Sequence, residues 1–313
     1  MEQVEQTRPG RSQSLARRLL LSRQGRLSDN VYALFFLAPI LVILAVVIFY
    51  PLVRVLAYSV TDANLIIAQQ EKYIGLDNFD YLINQDTIFR TAIKNTLIFT
   101  LSSIIGGFVL GFMLALLLNE AIPFRNIVRG AALVPWVVPG VIVALLTLYM
   151  FNGEVGVINY TLKSTGVIHK FIPWFGSLDY AMWAVIIPNV WNQTPFYMLM
   201  LLAGLQTRPD DLMEAAKIDG AGSVARFRYI TLPHLSKVIM IITALMVIWN
   251  FNNFDLIWTT TQGGPVNATM VLSVYVYRQA FVSFSTGYAS AIAVLWLLGL
   301  LAFSFFYIRA MEG

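Results

Sequence analysis

Residues 95–119 read NTLIFTLSSIIGGFVLGFMLALLLN, twenty-five positions without an acidic or basic side chain. A bilayer core about 30 Å thick is crossed by roughly 20 apolar helical residues, so this stretch predicts a membrane-spanning helix. Working outward, five further charge-free intervals read the same way: Asn30–Val53 (bounded by Asp29 and Arg54), Gly130–Gly153, Tyr180–Thr207, the shorter Val238–Phe254, and Gln279–Ile308. Leu256–Tyr277 is also free of charge but is interrupted by Thr261-Gln262-Gly263-Gly264-Pro265. That tract breaks a helix, so the interval is read as a turn followed by an amphipathic segment at the membrane face. The expected fold class is all-α, a polytopic membrane protein with six transmembrane helices.

Composition agrees. The 313 residues are 58% hydrophobic and 12% charged, with a mean hydropathy of +0.69. A water-solvated domain carries about a quarter charged residues. The net charge of +4 is not gathered into a basic patch interleaved with aromatics, so nucleic acid is not an expected partner. The chain has no cysteine, which excludes disulfides, thiolate metal sites and a cysteine nucleophile. The two histidines, His169 and His234, fall in loops on opposite membrane faces and offer no metal or triad arrangement. No catalytic or metal site is expected, and the chain is not expected to be an enzyme.

With both termini inside, 14 of the 21 Lys and Arg residues fall on the inner side, which favours an N-in, C-in orientation. Residues 1–30 form a basic cytoplasmic tail carrying Arg8, Arg11, Arg17, Arg18, Arg23 and Arg26. The apolar run that follows is too long for a cleaved signal and reads as a signal-anchor helix. Residues 31–308 form the transmembrane domain, and 309–313 a short cytoplasmic tail. Between spans, short helices are expected at Asn78–Ile83 and around Val157–Lys163.

The cytoplasmic loop at 207–237 is the most informative segment. Pro209-Asp210-Asp211 is a helix start with acids in its first turn. Leu212, Ala215, Ala216 and Ile218 supply a short apolar face, and Gly220 and Gly222 end it. A second short helix is expected from Ser223, with Val224, Phe227 and Ile230 at three-residue spacing, ended by Leu232-Pro233. Such an element presents an apolar knob to a groove on another protein. On spacing alone, helices lying on the bilayer or packed on their own bundle are an equal alternative.

The loop resembles the signature of ABC-importer permeases: Glu214-Ala215-Ala216, three residues, Gly220, nine residues, Ile230, one residue, Leu232-Pro233. The likeness is to the carbohydrate-uptake branch, of the maltose and glycerol-3-phosphate kind, and runs from about Ala38 to Ile308. It includes Ile74-Gly75-Leu76-Asp77-Asn78-Phe79, Leu202-Ala203-Gly204-Leu205-Gln206, Gly263-Gly264-Pro265 and Gly287-Tyr288-Ala289-Ser290-Ala291. The resemblance implies a type I importer fold in a bacterial or archaeal cytoplasmic membrane. It implies coupling to a cytosolic ATPase dimer through Glu214, Ala215, Ala216, Gly220, Leu232 and Pro233. It also implies a second permease subunit, an extracytoplasmic solute-binding protein and a carbohydrate substrate. The chain lacks a Gly-x-x-x-x-Gly-Lys-Ser/Thr phosphate loop, so it needs no cofactor of its own. ATP and Mg are expected on the partner.

Two polar clusters interrupt the spans: Asn189-Val190-Trp191-Asn192-Gln193-Thr194-Pro195-Phe196 and Trp249-Asn250-Phe251-Asn252-Asn253-Phe254-Asp255. Amides beside aromatic faces suit an uncharged sugar, and Asn189, Asn192, Gln193 and Phe196 recur at helical spacing. Interhelical hydrogen bonding, worth about 1 kcal/mol each, is the equal alternative. The resemblance favours the sugar pathway and implies Asn189, Asn192, Gln193, Phe196, Met246, Asn250 and Asn253 as its lining. Asn189, Asn250 and Asn253 match the maltose permease in type and the other four differ, which argues against maltose itself. A secondary transporter is the competing reading, but the span interiors carry no Asp, Glu, Lys or Arg. A membrane scaffold would not need the glycine-punctuated loop.

Overall fold

A computed structural model describes residues 29–66 and 71–312. The basic tail expected over 1–30 lies outside the described residues up to position 28. The chain divides into a first unit ending at Ala57 and a second from Tyr58 to Gly313, and each is considered by itself.

The first unit is one apolar rod. Helix α1 (Asp29–Leu44) passes through a π-helical turn (Ala45–Phe49) into α2 (Tyr50–Tyr58). Pro51 has no N–H and would clash with the carbonyl one turn back. The wider π turn just before it absorbs that defect without breaking the rod. Phe35 and Phe36 are each about three-quarters exposed, a surface suited to lipid or protein and not to water.

The second unit is organised on two parallel helices, α4 (Thr87–Asn119) and α8 (Ala181–Gln206). Before α4 comes the short helix α3 (Asp77–Asn84), which contains the expected Asn78–Ile83. Asp86 caps α4, its Oδ1 accepting from the amides of Ile88 (2.8 Å) and Phe89 (2.9 Å). Its other oxygen accepts from the hydroxyls of Tyr275 and Tyr288. Along α4, Gly107 and Gly111 form a small-xxx-small pair that lets α8 approach closely. A Cβ on Gly111 would sit 2.4 Å from the Tyr197 Cβ and 2.9 Å from the Thr194 carbonyl oxygen.

Two apolar clusters flank this crossing. One gathers Phe89, Phe99, Met182 and Ile186 with Ile257, Met270 and Val274; the other gathers Phe112, Leu118, Tyr197 and Leu201 with Leu235, Ile242 and Met246.

The third expected span is not a straight helix. It consists of α5 (Arg125–Val137) and α6 (Gly140–Met150), bent by 92° at Val138–Pro139. Pro139 cannot donate to the preceding turn, and the residue before a proline is pushed to extended backbone; Val138 has φ −71° and ψ 125°. Helix α7 (Val157–Ser164) follows where a short helix was expected.

After α8 come α9 (Asp210–Ile218), α10 (Ser223–Arg226), a π turn (Phe227–Thr231) and α11 (Leu232–Phe251). The sequence reading ended a helix at Leu232-Pro233. Instead the helix continues, because the π turn places Pro233 where no N–H is needed. The chain then forms α12 (Asp255–Thr260), a turn with Gly263 at φ +88° and a cis Gly264–Pro265 bond, and α13 (Leu272–Tyr277).

This last stretch also departs from expectation. Met270 to Tyr275 are all buried, so the segment is core and not an amphipathic surface helix. Polar groups of α4 hold it there: the Leu272 amide donates to Thr96 Oγ1 (2.9 Å), and Asn95 Nδ2 donates to the Asn267 carbonyl (3.0 Å). A π turn (Arg278–Val282) leads to α14 (Thr286–Glu312), so positions 309–312 extend the final helix.

Among the described residues, four helices are long and apolar enough to cross a membrane, and the bent α5–α6 pair supplies a fifth. The expected fourth span corresponds to α8. Its 26 residues span about 39 Å at 1.5 Å per residue, and its amides dilute its apolar character.

Candidate functional site

Halfway along α8, between the two apolar clusters, the expected amides meet. Asn189 Nδ2 donates to Asn250 Oδ1 (2.7 Å) and to Ser103 Oγ (2.8 Å). Gln193 Nε2 donates to Asn189 Oδ1 and to Asn250 Oδ1, each at 3.1 Å. Asn250 Nδ2 returns a bond to Gln193 Oε1 (3.1 Å) and another to the Met246 carbonyl (2.8 Å). Asn253 Nδ2 closes the set on Asn189 Oδ1 (3.0 Å). Asn189, Gln193, Asn250 and Met246 are buried. The network therefore ties α4, α8 and α11 together, and each member answers another where an orphaned amide would cost about 1–3 kcal/mol.

The seven expected pathway residues do not share one side. Successive residues on an α-helix are about 100° apart, so Asn192 and Phe196 turn away from Gln193 toward α5. Asn192 Nδ2 donates to the Pro135 carbonyl (2.6 Å), which also accepts from the Val138 amide (3.3 Å) and lacks its usual donor four residues on because Pro139 has no N–H. Phe196 lies between Trp136 (5.7 Å between centroids) and Trp249 (5.1 Å). Both tryptophans are more than 40% exposed, which makes an open aromatic face. Met246 is fully buried in the second apolar cluster.

Ser103, Trp136 and Trp249 were not singled out as site residues by sequence reasoning. A serine pair (Ser102-Ser103) in an apolar span carries little signal. The tryptophans could have been found only by pairing positions on three different helices.

A polar cavity of about 200 Å³ opens beside this network, lined by Gly140, Val143, Asn189, Asn192 and the run Asn252–Leu256. A larger hollow of about 810 Å³, along α4, α5 and α8, is walled mainly by apolar side chains such as Leu110, Met113, Ile187 and Val190.

The loop after α8 is built as a lever. Gly220 adopts φ +77°, and the Gly220 and Ala221 amides donate to the carbonyls of Lys217 (3.1 Å) and Ala216 (2.9 Å). This is a Schellman closure, which favours glycine at that position. Around it, Ile218 (86%) and Val224 (79%) are widely exposed, while Glu214 projects without an ion-pair partner among the described residues. At the loop's base, Arg208 Nη1 donates to Thr231 Oγ1 (2.9 Å). His234 Nε2 lies 3.1 Å from the Gly204 carbonyl and 3.2 Å from the Thr207 hydroxyl. The end of α8 is thereby fastened to the start of α11.

The profile of the family described as binding-protein-dependent transport system inner membrane component matches residues 107–309. A probable ABC transporter permease of Sinorhizobium fredii is 36% identical over 302 residues, covering 96% of this chain and 94% of that one. The trehalose/maltose transport system permease of Thermococcus litoralis is 33% identical over 271 residues, 87% of this chain and 90% of that one. Among solved structures, a bacterial ABC transporter that imports the acidic polysaccharide alginate superposes with a TM-score of 0.76. It is 24% identical and covers 90% of this chain and 94% of that one, a match of fold.

Proposed function

Because the chain belongs to the family of binding-protein-dependent transport inner membrane components, and is thus a translocation-pathway subunit of an ATP-binding-cassette importer, we propose that the 207–237 loop is its docking point for a separate ATPase. The observation that carries this is the exposed lever: a Schellman-closed helix with apolar tips, fastened to α8 and α11 at its base. Those two helices also carry Asn189, Gln193 and Asn250 of the amide network and Phe196 and Trp249 of the aromatic face. A push on the loop is therefore delivered to the walls of the pathway through contiguous rigid elements. Glu214, Ala215, Ala216 and Gly220 shape the docking helix, and Leu232 and Pro233 join it to α11.

The solute is a sugar or sugar-like compound, read from the open Trp136–Phe196–Trp249 face beside amides and supported by the trehalose/maltose relative. Asn192, Phe196 and Asn253 contact it directly. Asn189 reaches the polar cavity from one edge, while Gln193, Asn250 and Met246 stand behind and come to the pathway only when α8 and α11 separate. ATP and Mg are bound by the partner ATPase dimer, a second permease subunit completes the pathway, and a solute-binding protein delivers from outside. Both termini lie in the cytoplasm.

The absence of native cysteine gives a clean test. In membranes holding the whole complex, Val224→Cys treated with a short maleimide–succinimide cross-linker should yield an adduct with the ATPase. Val155→Cys, equally exposed in the loop before α7, should yield none. Equal labelling of the ATPase from both positions, or from neither, would refute the docking assignment.

A further inference from the structure

The polar cavity lies where two helix breaks meet, Val138–Pro139 between α5 and α6 and Asn252–Phe254 between α11 and α12. Broken helices expose backbone and polar groups at a depth where a continuous helix would hide them. The amides here are oriented by their partners. Asn192 Nδ2 is on the Pro135 carbonyl, Asn252 Nδ2 on the Ile248 carbonyl (2.7 Å), and Asn253 Nδ2 on Asn189 Oδ1. A carbonyl oxygen only accepts, so the nitrogens of Asn192 and Asn252 face those carbonyls. Asn253 is fixed because Asn189 Nδ2 is already engaged by Asn250 and Ser103. All three Oδ1 atoms are left without a protein partner among the described residues.

Asp255, which is exposed and lines the same cavity, adds a carboxylate that also only accepts. No basic side chain lines the cavity. The lining is therefore rich in acceptors and carries one negative charge.

We propose that this cavity is a charge filter in the translocation pathway, that it receives the hydroxyl groups of a neutral polyhydroxylated solute, and that Asp255 is its specificity-determining residue. Sugar hydroxyls donate to the amide oxygens and to the carboxylate, and a carboxylate accepting two such bonds forms the stronger, charge-assisted kind. A uronic or sulfonic acid sets acceptor against acceptor and like charge against like charge, and is turned away. This inference rests on the permease reading and narrows it to neutral cargo.

The test uses the purified complex of this chain with its second permease and ATPase, without the solute-binding protein, whose own selectivity would mask the effect. Binding is followed by tryptophan fluorescence for two probes: a neutral disaccharide, and the disaccharide of the same linkage with one ring oxidised to a uronic acid. The native complex should prefer the neutral probe by at least about tenfold, a modest share of the repulsion between near charges. Asp255→Asn, which keeps the size, should bring the two within about twofold. Asp255→Glu, which keeps the charge, should preserve the preference. Equal or tighter binding of the acid by the native complex, a preference unmoved in Asp255→Asn, or no binding of either probe would overturn the proposal. Adding loaded solute-binding protein to the same preparation in a separate assay reports coupled ATP hydrolysis. Coupling without a charge preference removes the filter and leaves the permease reading intact; loss of association with any ATPase removes both.

Discussion

Gly220→Pro should abolish transport-coupled ATP hydrolysis while the membrane helices still assemble. Gly220 sits at φ +77°, whereas proline is fixed near −65° and has no N–H. The substitution removes the Gly220 bond to the Lys217 carbonyl and the left-handed turn that closes α9. A Cβ at this position would touch nothing within 4 Å, so the damage is confined to backbone conformation. The milder Gly220→Ala should cost about 1–2 kcal/mol of local loop stability, the ordinary penalty for a Cβ in left-handed backbone, and reduce coupling only in part. None of residues 211–218 of α9 is buried, so insertion and packing of the spans do not depend on them. Hydrolysis stimulated by loaded binding protein should fall more than tenfold in Gly220→Pro, at unchanged yield of assembled complex. Unchanged stimulation would mean that the loop's shape is not used.

Gly111→Leu should have the opposite profile, a failure of assembly. Here the added Cβ meets the Tyr197 Cβ, the Met198 amide nitrogen and the Thr194 carbonyl oxygen, all within 2.9 Å. Two of the three are backbone atoms of α8 and cannot swing aside as a flexible side chain would. The helices must move apart, which opens both apolar clusters and pulls α8 away from Ser103 and Asn250. Overpacking of this kind costs about 3 kcal/mol or more. Thermal unfolding of the purified chain, followed by loss of the monodisperse elution peak, should shift down by many degrees, or the protein should fail to accumulate. Gly130→Leu, where a Cβ meets nothing within 4 Å, is the control and should behave as the native chain. Equal stability of the two variants would contradict the close crossing.

The parts of the fold that depend on composition and length were legible. Charge-free runs marked the spans, and helix-start and glycine signals marked α3, α7 and α9. What the sequence concealed was the treatment of proline. Pro139 turned a uniform apolar run into two helices at 92°, while Pro233, which looks like a stop, is carried through by a π turn. Both depend on local hydrogen bonding that hydropathy does not register. The 270–275 segment looked peripheral because glycine and proline precede it; long-range bonds to Thr96 and Asn95 place it in the core.

At the site, helical spacing grouped Asn189, Asn192, Gln193 and Phe196 on one side. The structure divides them between a closed network and an open aromatic face, a partition that depends on which neighbouring helix arrives first. GxxxG at Gly107–Gly111, which charge-free length alone does not single out, marks the α4–α8 crossing once helix packing is considered.

In the function proposed above, this chain converts ATP hydrolysis by another subunit into movement of its own pathway helices through the 207–237 loop. The most direct test of this claim is uptake and ATP hydrolysis by the complete complex in proteoliposomes, comparing the native chain with Glu214→Ala. Glu214 is exposed and has no ion-pair partner within the described chain, so its loss leaves the fold intact. If the claim holds, the complex assembles normally but loses both uptake and the hydrolysis that accompanies it. Uptake at the native rate in Glu214→Ala, or uptake by the chain with no ATPase present, would contradict it.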